Sequence, residues 1–182
     1  MVRRAAHLSL GAGALLLCAV AALAVARRPA PALAPGSAFP AALARPGAPD
    51  EVVLAWVFRT NNYLSCLAPV VELRRAQQAS GGKVRVVAVA VGSEHRAWVP
   101  AFFRRERIQA EVAYVDVDGY RRLLASSPVP ALYLVQEGTI RKVLFEGPQQ
   151  ARAATRLAAI GPSVRAALGG RRLAAAGGER AP

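Results

Sequence analysis

The sequence predicts an α/β fold, a central mixed β-sheet flanked by helices with a hydrophobic helix ahead of it. Three observations carry this. Two nearly continuous apolar runs, EVVLAWVF (51–58) and KVRVVAVAVG (83–92), have the length and β-branched content of strands buried on both faces. Each is followed by a segment of helical character. Nearer the C-terminus, ALYLV and TIRKVLFEG flank QEG, the pattern of an antiparallel hairpin. The order β-α-β-α-(β/α)-β-β-α implies strand–helix–strand units and a hairpin sharing one sheet.

Residues 1–26 read as a targeting segment. Arg3 and Arg4 precede LSLGAGALLLCAVAALAVA, Leu8 to Ala26, which carries no charge and no amphipathic period. This run nearly reaches the ~20 apolar residues that span a bilayer. Three readings stay open: an uncleaved signal anchor, a signal peptide cleaved after the A-x-A at Ala24–Ala26, or lipid modification at Cys18. The bulky Leu17 counts against the last. Each puts the remainder outside the cytoplasm, anchored to the cytoplasmic membrane through residues 8–26 or secreted, and periplasmic in a Gram-negative cell. Residues 27–49 are rich in Pro and Ala, lack acidic residues and read as a semi-extended tether. The folded domain is then expected at 50–160, with a short helix and a disordered basic tail at 161–182.

A net charge of +13 raises the question of nucleic acid. The basic residues come in scattered pairs, such as Arg74/Arg75, Arg104/Arg105 and Arg121/Arg122, with no aromatic-interleaved stripe. Together with the export signal, this favours a solvated arginine-rich surface and no nucleic-acid partner. One cysteine and one histidine beyond the leader supply too few metal ligands, and no glycine-rich phosphate loop is present. No cofactor is expected.

Within the domain, RTNNYLS follows the first strand as a loop. From Leu67, Val70, Val71 and Leu73 alternate with Glu72, Arg74, Arg75, Gln77 and Gln78, a helix that SGG (80–82) ends. SEHRAWVPAFFRRERI supplies a second helix with Ser93 as N-cap and Trp98, Phe102 and Phe103 on its apolar side. Pro100 should kink it or delay its start. AEVAYVDVD (110–118) reads as a strand and GYRRLLAS as a brief helix. Gly138 suits a positive φ in the hairpin turn. PQQARAATRLAAI makes a last helix with Pro148 at its start and Gly161-Pro162 at its end.

Over residues 50–160 these features resemble a thioredoxin-fold redoxin. The nearest likeness is to membrane-anchored, extracytoplasmic thioredoxin-like proteins of the TlpA/ResA type. VVLAWVF, the loop, Cys66 and the following helix occupy the place of that family's strand and active-site loop. VVAVAVGSEHRAWVPAFFRRERI resembles its second strand and helix, and PVPALYLVQEGTIRKVLFEG its proline, hairpin and closing Gly. The resemblance implies a cis-proline facing the active-site loop. Pro130, preceded by Val129, matches it, with Pro128 as the fallback. It also implies a groove at Pro130 that accepts an extended protein or peptide partner by main-chain pairing.

The family's redox motif, C-x-x-C at a helix start, is incomplete here. Conserving the loop length aligns Tyr63-Leu64-Ser65-Cys66 with it. Matching Glu72-Leu73 to the family's acidic-Leu pair aligns Cys66-Leu67-Ala68-Pro69 instead. Neither provides the dithiol by which one thiolate attacks a disulfide and a second resolves the mixed disulfide. Cys66 is therefore either a single-thiol redox centre, of thiol–disulfide or cytochrome-c-maturation type, or a small buried hydrophobe in a degenerate binding module with Tyr63 on its contact loop. A peroxidase reading lacks the Thr or Ser three residues before the cysteine, where Tyr63 stands. A Cys66–His95 hydrolase pair lacks an orienting third group, and a lone histidine at a helix start is more simply a surface residue.

Overall fold

The computed structural model describes residues 33–45, 47–48, 51–61, 68–125 and 127–177, with side chains as far as residue 169. One five-stranded sheet organises them, in the order β3-β2-β1-β4-β5. The strands are β1 (Val52–Arg59), β2 (Val84–Val91), β3 (Ala110–Val115), β4 (Ala131–Gln136) and β5 (Thr139–Glu146). β1, β2 and β3 run parallel, whereas β4 pairs antiparallel with β1 and β5 antiparallel with β4. The helices are α1 (Val70–Ala79), α2 (Trp98–Arg105), α3 (Val117–Leu124), α4 (Gly147–Arg152), α5 (Ala154–Ala158) and α6 (Ile160–Gly177).

β1 is buried from Val52 to Phe58, which is why its sequence shows no polar alternation. Its two faces serve two cores. Val52, Leu54, Trp56 and Phe58 pack with Val70 and Leu73 of α1, Phe102 and Phe103 of α2, and Ile160 and Val164 of α6. Val53, Ala55 and Val57 pack with Tyr120 and Leu124 of α3 and with Tyr133. The large rings on the first face have small neighbours across the ladder: Trp56 pairs with Ala88 and Phe58 with Ala90. Those alanines make room for an aromatic cluster. Trp56 lies 4.9 Å from Phe58 and 5.8 Å edge-on from Phe103, centroid to centroid.

Several boundaries differ from expectation. α1 begins at Val70 rather than Leu67, with Pro69 in the capping position. α2 begins at Trp98, and Ala97 rather than Ser93 holds its N-cap position. Pro100 thereby falls in the first turn, where its missing N–H costs no helical bond, so it delays the start rather than kinking the helix. β3 stops at Val115 because Asp116 caps α3, its carboxylate accepting the Gly119 N–H at 2.5 Å. The single helix expected over 148–160 is broken at Ala153, whose extended backbone separates α4 from α5. Gly161-Pro162 does not end a helix but opens α6, again within a first turn that tolerates proline. The tail expected to be disordered is helical to Gly177.

The largest correction lies upstream. Residues 33–45, read as part of a tether, pack on the sheet, with Leu33, Phe39 and Leu43 buried in the second core. Their backbone also covers the outer edge of β5 near the hairpin. The Gly36 N–H donates to the Ile140 carbonyl at 2.7 Å, the Ile140 N–H to Ser37 at 2.9 Å, and the Phe39 N–H to Gly138 at 2.8 Å. Edge-strand groups thus find partners that water would otherwise supply. At the far end Arg85, mostly buried, donates to Glu51 at 3.1 Å, to Glu111 at 3.0 Å and to the Arg45 carbonyl at 2.8 Å. The hydrophobic segment at 8–26 lies outside the described residues. Among the described residues no helix is long and apolar enough to cross a membrane.

A protein truncated to begin at Asp50 should therefore be markedly less stable in urea than one that keeps residues 33–49. Phe39→Ala alone should cost about 3 kcal/mol, as deletion of a buried ring does. Ala41→Ser, on the same segment but exposed, should stay within about 0.5 kcal/mol of the parent. Equal urea midpoints for the long and truncated proteins would show that the segment contributes nothing.

Candidate functional site at the sheet rim

The carboxyl ends of the parallel strands, the start of β4 and the end of β5 all meet at one rim. The register shows it directly: Val115 pairs with Val91, Val91 with Arg59, Val57 with Ala131, and Ala131 with Glu146. Thr60, Gly92, Pro130 and Gly147 continue from these positions. Thr60 is buried, and both its N–H (3.0 Å) and its hydroxyl (3.4 Å) donate to the Val91 carbonyl. Gly92 donates to the Val115 carbonyl at 2.8 Å with φ 109°, and a Cβ there would stand 3.0 Å from the Thr60 hydroxyl. Close backbone approach and positive φ together require glycine.

The Val129–Pro130 bond is cis, at the position the sequence singled out, so the Pro128 alternative falls away. Pro130 is buried and Val129 half-buried. The Pro130 carbonyl accepts the Gly147 N–H at 2.7 Å, tying this turn to the end of β5. Tyr63 and Cys66 belong to residues 62–67, outside the described residues, in the stretch joining Asn61 at the rim to α1. His95 is exposed, in a positive-φ conformation (55°), on the turn that leads into α2.

Sequence reasoning missed a polar network on the α3 side of the rim. The Tyr133 hydroxyl, on a fully buried side chain, donates to Glu146 Oε1 at 2.9 Å. The Tyr120 hydroxyl donates to the Ser127 carbonyl, and the Leu33 N–H donates to Ser127 Oγ at 3.4 Å. Glu146 is held in turn, its N–H bonded to Gln150 Oε1 at 3.1 Å. Burial pushes the Tyr133 phenol far up from its ordinary value. The Ser127 hydrogen bond opposes the shift, and the Glu146 carboxylate adds to it. Tyr120 is also raised, again chiefly by burial, with Arg59 pulling the other way. One signal was available: a tyrosine in the otherwise apolar ALYLV needs a partner for its hydroxyl. Among the described residues no three His, Cys, Asp or Glu side chains converge as a metal site would require.

This arrangement can be set beside known proteins. No protein-family model matches the chain, and no curated protein sequence matches it. Solved structures do. A protein assigned as the thiol:disulfide interchange protein DsbE of Chlorobium tepidum superposes with a TM-score of 0.57 at 19% identity, over 75% of this chain and 99% of that one. The fold is thioredoxin-like. The thioredoxin domain of a thiol-disulfide oxidoreductase from Bacteroides vulgatus matches with a TM-score of 0.50 at 17% identity, over 66% of this chain and 94% of that one. At such identities the likeness is one of fold.

The buried phenols make a pH-dependent contribution whose sign can be worked out. An acid whose folded pKa lies above its unfolded value keeps its proton longer when folded. Its stabilising effect is whole below the unfolded value of ~10 and is lost as pH rises beyond it. Urea midpoints should fall between pH 9 and pH 11, by ~1 kcal/mol or more of stability at the top of that range. Tyr133→Phe should flatten that fall and remove a late component from the alkaline absorbance titration of tyrosine. An unchanged pH slope in the variant would refute the assignment.

Proposed function

We propose that this chain is an extracytoplasmic thioredoxin-like module that binds an extended protein or peptide segment along the Pro130 edge and does not cycle a dithiol. The observation that carries the reading is the pairing of a cis-proline turn at the rim with an incomplete motif. The rim has its cis Val129–Pro130 turn, while the sequence holds only two cysteines, Cys18 and Cys66, and Cys18 lies in the leader. A scaffold that keeps the cis-proline turn and lacks one of the two thiols is suited to holding a segment, since main-chain pairing needs no sulfur. The hydrophobic run at 8–26, with arginines on both sides, supports export and attachment to the cytoplasmic membrane. The arginine-rich surface would then face acidic lipid headgroups rather than nucleic acid.

A second reading keeps Cys66 as a lone redox thiol forming mixed disulfides. What favours it is that the proteins sharing the fold, those of Chlorobium tepidum and Bacteroides vulgatus, are named for thiol–disulfide chemistry. Alkylation of Cys66 across pH separates the two readings. A thiol pKa at or above the unperturbed ~8.5 with slow labelling fits the binding module, and a strongly depressed value fits the redox centre.

The parent protein should not accelerate insulin reduction by dithiothreitol. Tyr63→Cys restores C-x-x-C spacing and should produce turnover if loop length sets the alignment. If helix pattern sets it, Pro69→Cys should do so instead. Dithiol-like turnover by the unaltered protein would overturn the proposed function.

A further inference from the structure

The sheet has two edges, and they are treated differently. Residues 36–39 cover β5 and the hairpin turn with backbone hydrogen bonds. Nothing among the described residues does this for β3 at the opposite edge. The Gly92 N–H donates to the Val115 carbonyl, so Val115, Ala113 and Glu111 turn their peptide groups toward β2. Ala110, Val112 and Tyr114 therefore turn theirs outward, without a backbone partner among the described residues. Such an edge is ordinarily blunted by lysine, proline, a bulge or an unpaired charge. AEVAYV holds neither lysine nor proline, and its register runs without a shift. Its one charge, Glu111, is already bonded to Arg45 at 3.1 Å and to Arg85 at 3.0 Å. Tyr114 and Val117, on β3 and just past its end, are two of the three most exposed large hydrophobic side chains among the described residues. The edge is open, unbulged and apolar, a template for another strand.

The flanking charges indicate which strand. Ahead of β3 stands Arg107, exposed and without an ion-pair partner among the described residues. Past its end stands Asp118, also exposed, whose pairing with Arg121 at 3.5 Å is loose. An antiparallel copy of β3 brings the basic end of one strand to the acidic end of the other, whereas a parallel copy sets like against like. A two-fold axis through Val112 puts Val112 opposite its own copy. It also puts Ala110 opposite the partner's Tyr114, a small side chain against a large one. These are the outward-turned residues, so each facing pair exchanges both of its N–H···O bonds. The axis stands perpendicular to the sheet and keeps residues 33–45 of both copies, which pack in the second core, on one face. The hydrophobic runs at 8–26 of two chains can then enter one bilayer.

We propose that β3 pairs antiparallel with β3 of a second copy of this chain, making one continuous sheet across an isologous dimer. The inference goes beyond the proposed function and does not depend on it, because β2 and β1 separate this edge from the Pro130 turn ahead of β4.

The test is sedimentation equilibrium of the full chain in density-matched detergent, with the fold of each variant checked by circular dichroism. A monomer–dimer equilibrium is expected. Val112→Pro removes an outward N–H and no bond to β2, a place where an edge strand tolerates proline, and should weaken the dimer roughly tenfold or more. Arg107→Asp and Asp118→Arg, both at exposed positions, should each weaken it, and the two together should restore it. In a Cys18→Ser, Cys66→Ser background, Val112→Cys should oxidise to a covalent dimer. Facing residues of such a pair have Cα atoms ~5.5 Å apart, within disulfide range. Ala110→Cys, which faces the partner's Tyr114 rather than its own copy, should not crosslink. A chain that stays monomeric would overturn the proposal and leave the edge to a strand of another protein. So would a dimer that crosslinks no better through Val112→Cys than through Ala110→Cys, or one indifferent to both Val112→Pro and the charge exchange.

Discussion

Burial of β1 on both faces is the constraint from which the rest of the structure follows. A strand without a solvent-facing side chain from Val52 to Phe58 must be covered twice. Helices α1, α2 and α6 cover one face, and α3 with residues 33–45 covers the other. The first face carries Trp56 and Phe58, and the alanines opposite them on β2 keep the pleated surface from being overfilled. The packing has a cost. Among the described residues Trp56 Nε1 is buried without a hydrogen-bond partner, a desolvation penalty of about 1–3 kcal/mol. Burial of the ring within the aromatic cluster, worth a comparable amount or more, offsets it.

The same strand fixes the rim. β1 stays bonded to β2 through Thr60, so the chain enters the 62–67 segment from a fully anchored residue. On the other side the Pro130 turn is held by Gly147, and Glu146 beside it is held by Tyr133 and Gln150. Two chemically distinct flanks result. Toward α3 lie phenols and a carboxylate, largely committed to one another. Toward α2 lie the Trp98 and Phe102 rings, with Arg105 over the latter and paired with Glu106. The described part of the rim is preorganised, because its strand ends and short turns are already fixed by the core.

Much of this was legible in the sequence where one physical rule dominates. β1 and β2 were visible because two-sided burial demands a continuous apolar run. The hairpin was visible because Glu137 and Gly138, with φ of 51° and 72°, form the tight turn that an acidic-Gly pair allows. Pro130 was visible through a family pattern rather than through local chemistry. Residues 33–45 were not, because their composition is that of a linker. What decides their placement is three apolar side chains, Leu33, Phe39 and Leu43, meeting a sheet face that α3 leaves partly uncovered. The break at Ala153 and the opening of α6 at Ile160 were hidden for a related reason. An alanine-rich stretch is locally content as one helix, and only packing against β5 and α1 divides it. The Tyr133–Glu146 bond joins β4 to the end of β5, and no short-range rule reaches that far.

The fold and the chemistry of this chain therefore rest on different parts of it. The sheet, its two cores and the cis-proline turn are specified by residues spread over more than a hundred positions, so they tolerate the loss of any one functional group. Dithiol exchange rests on two sulfurs at fixed spacing; a tyrosine in the first position removes the attacking thiol and a proline in the second removes the resolving one, so either ends the cycle. A groove that pairs with main chain does not share that fragility. When a motif loses one sulfur, the fold and its cis Val129–Pro130 turn are what remains, and neither depends on a second thiol.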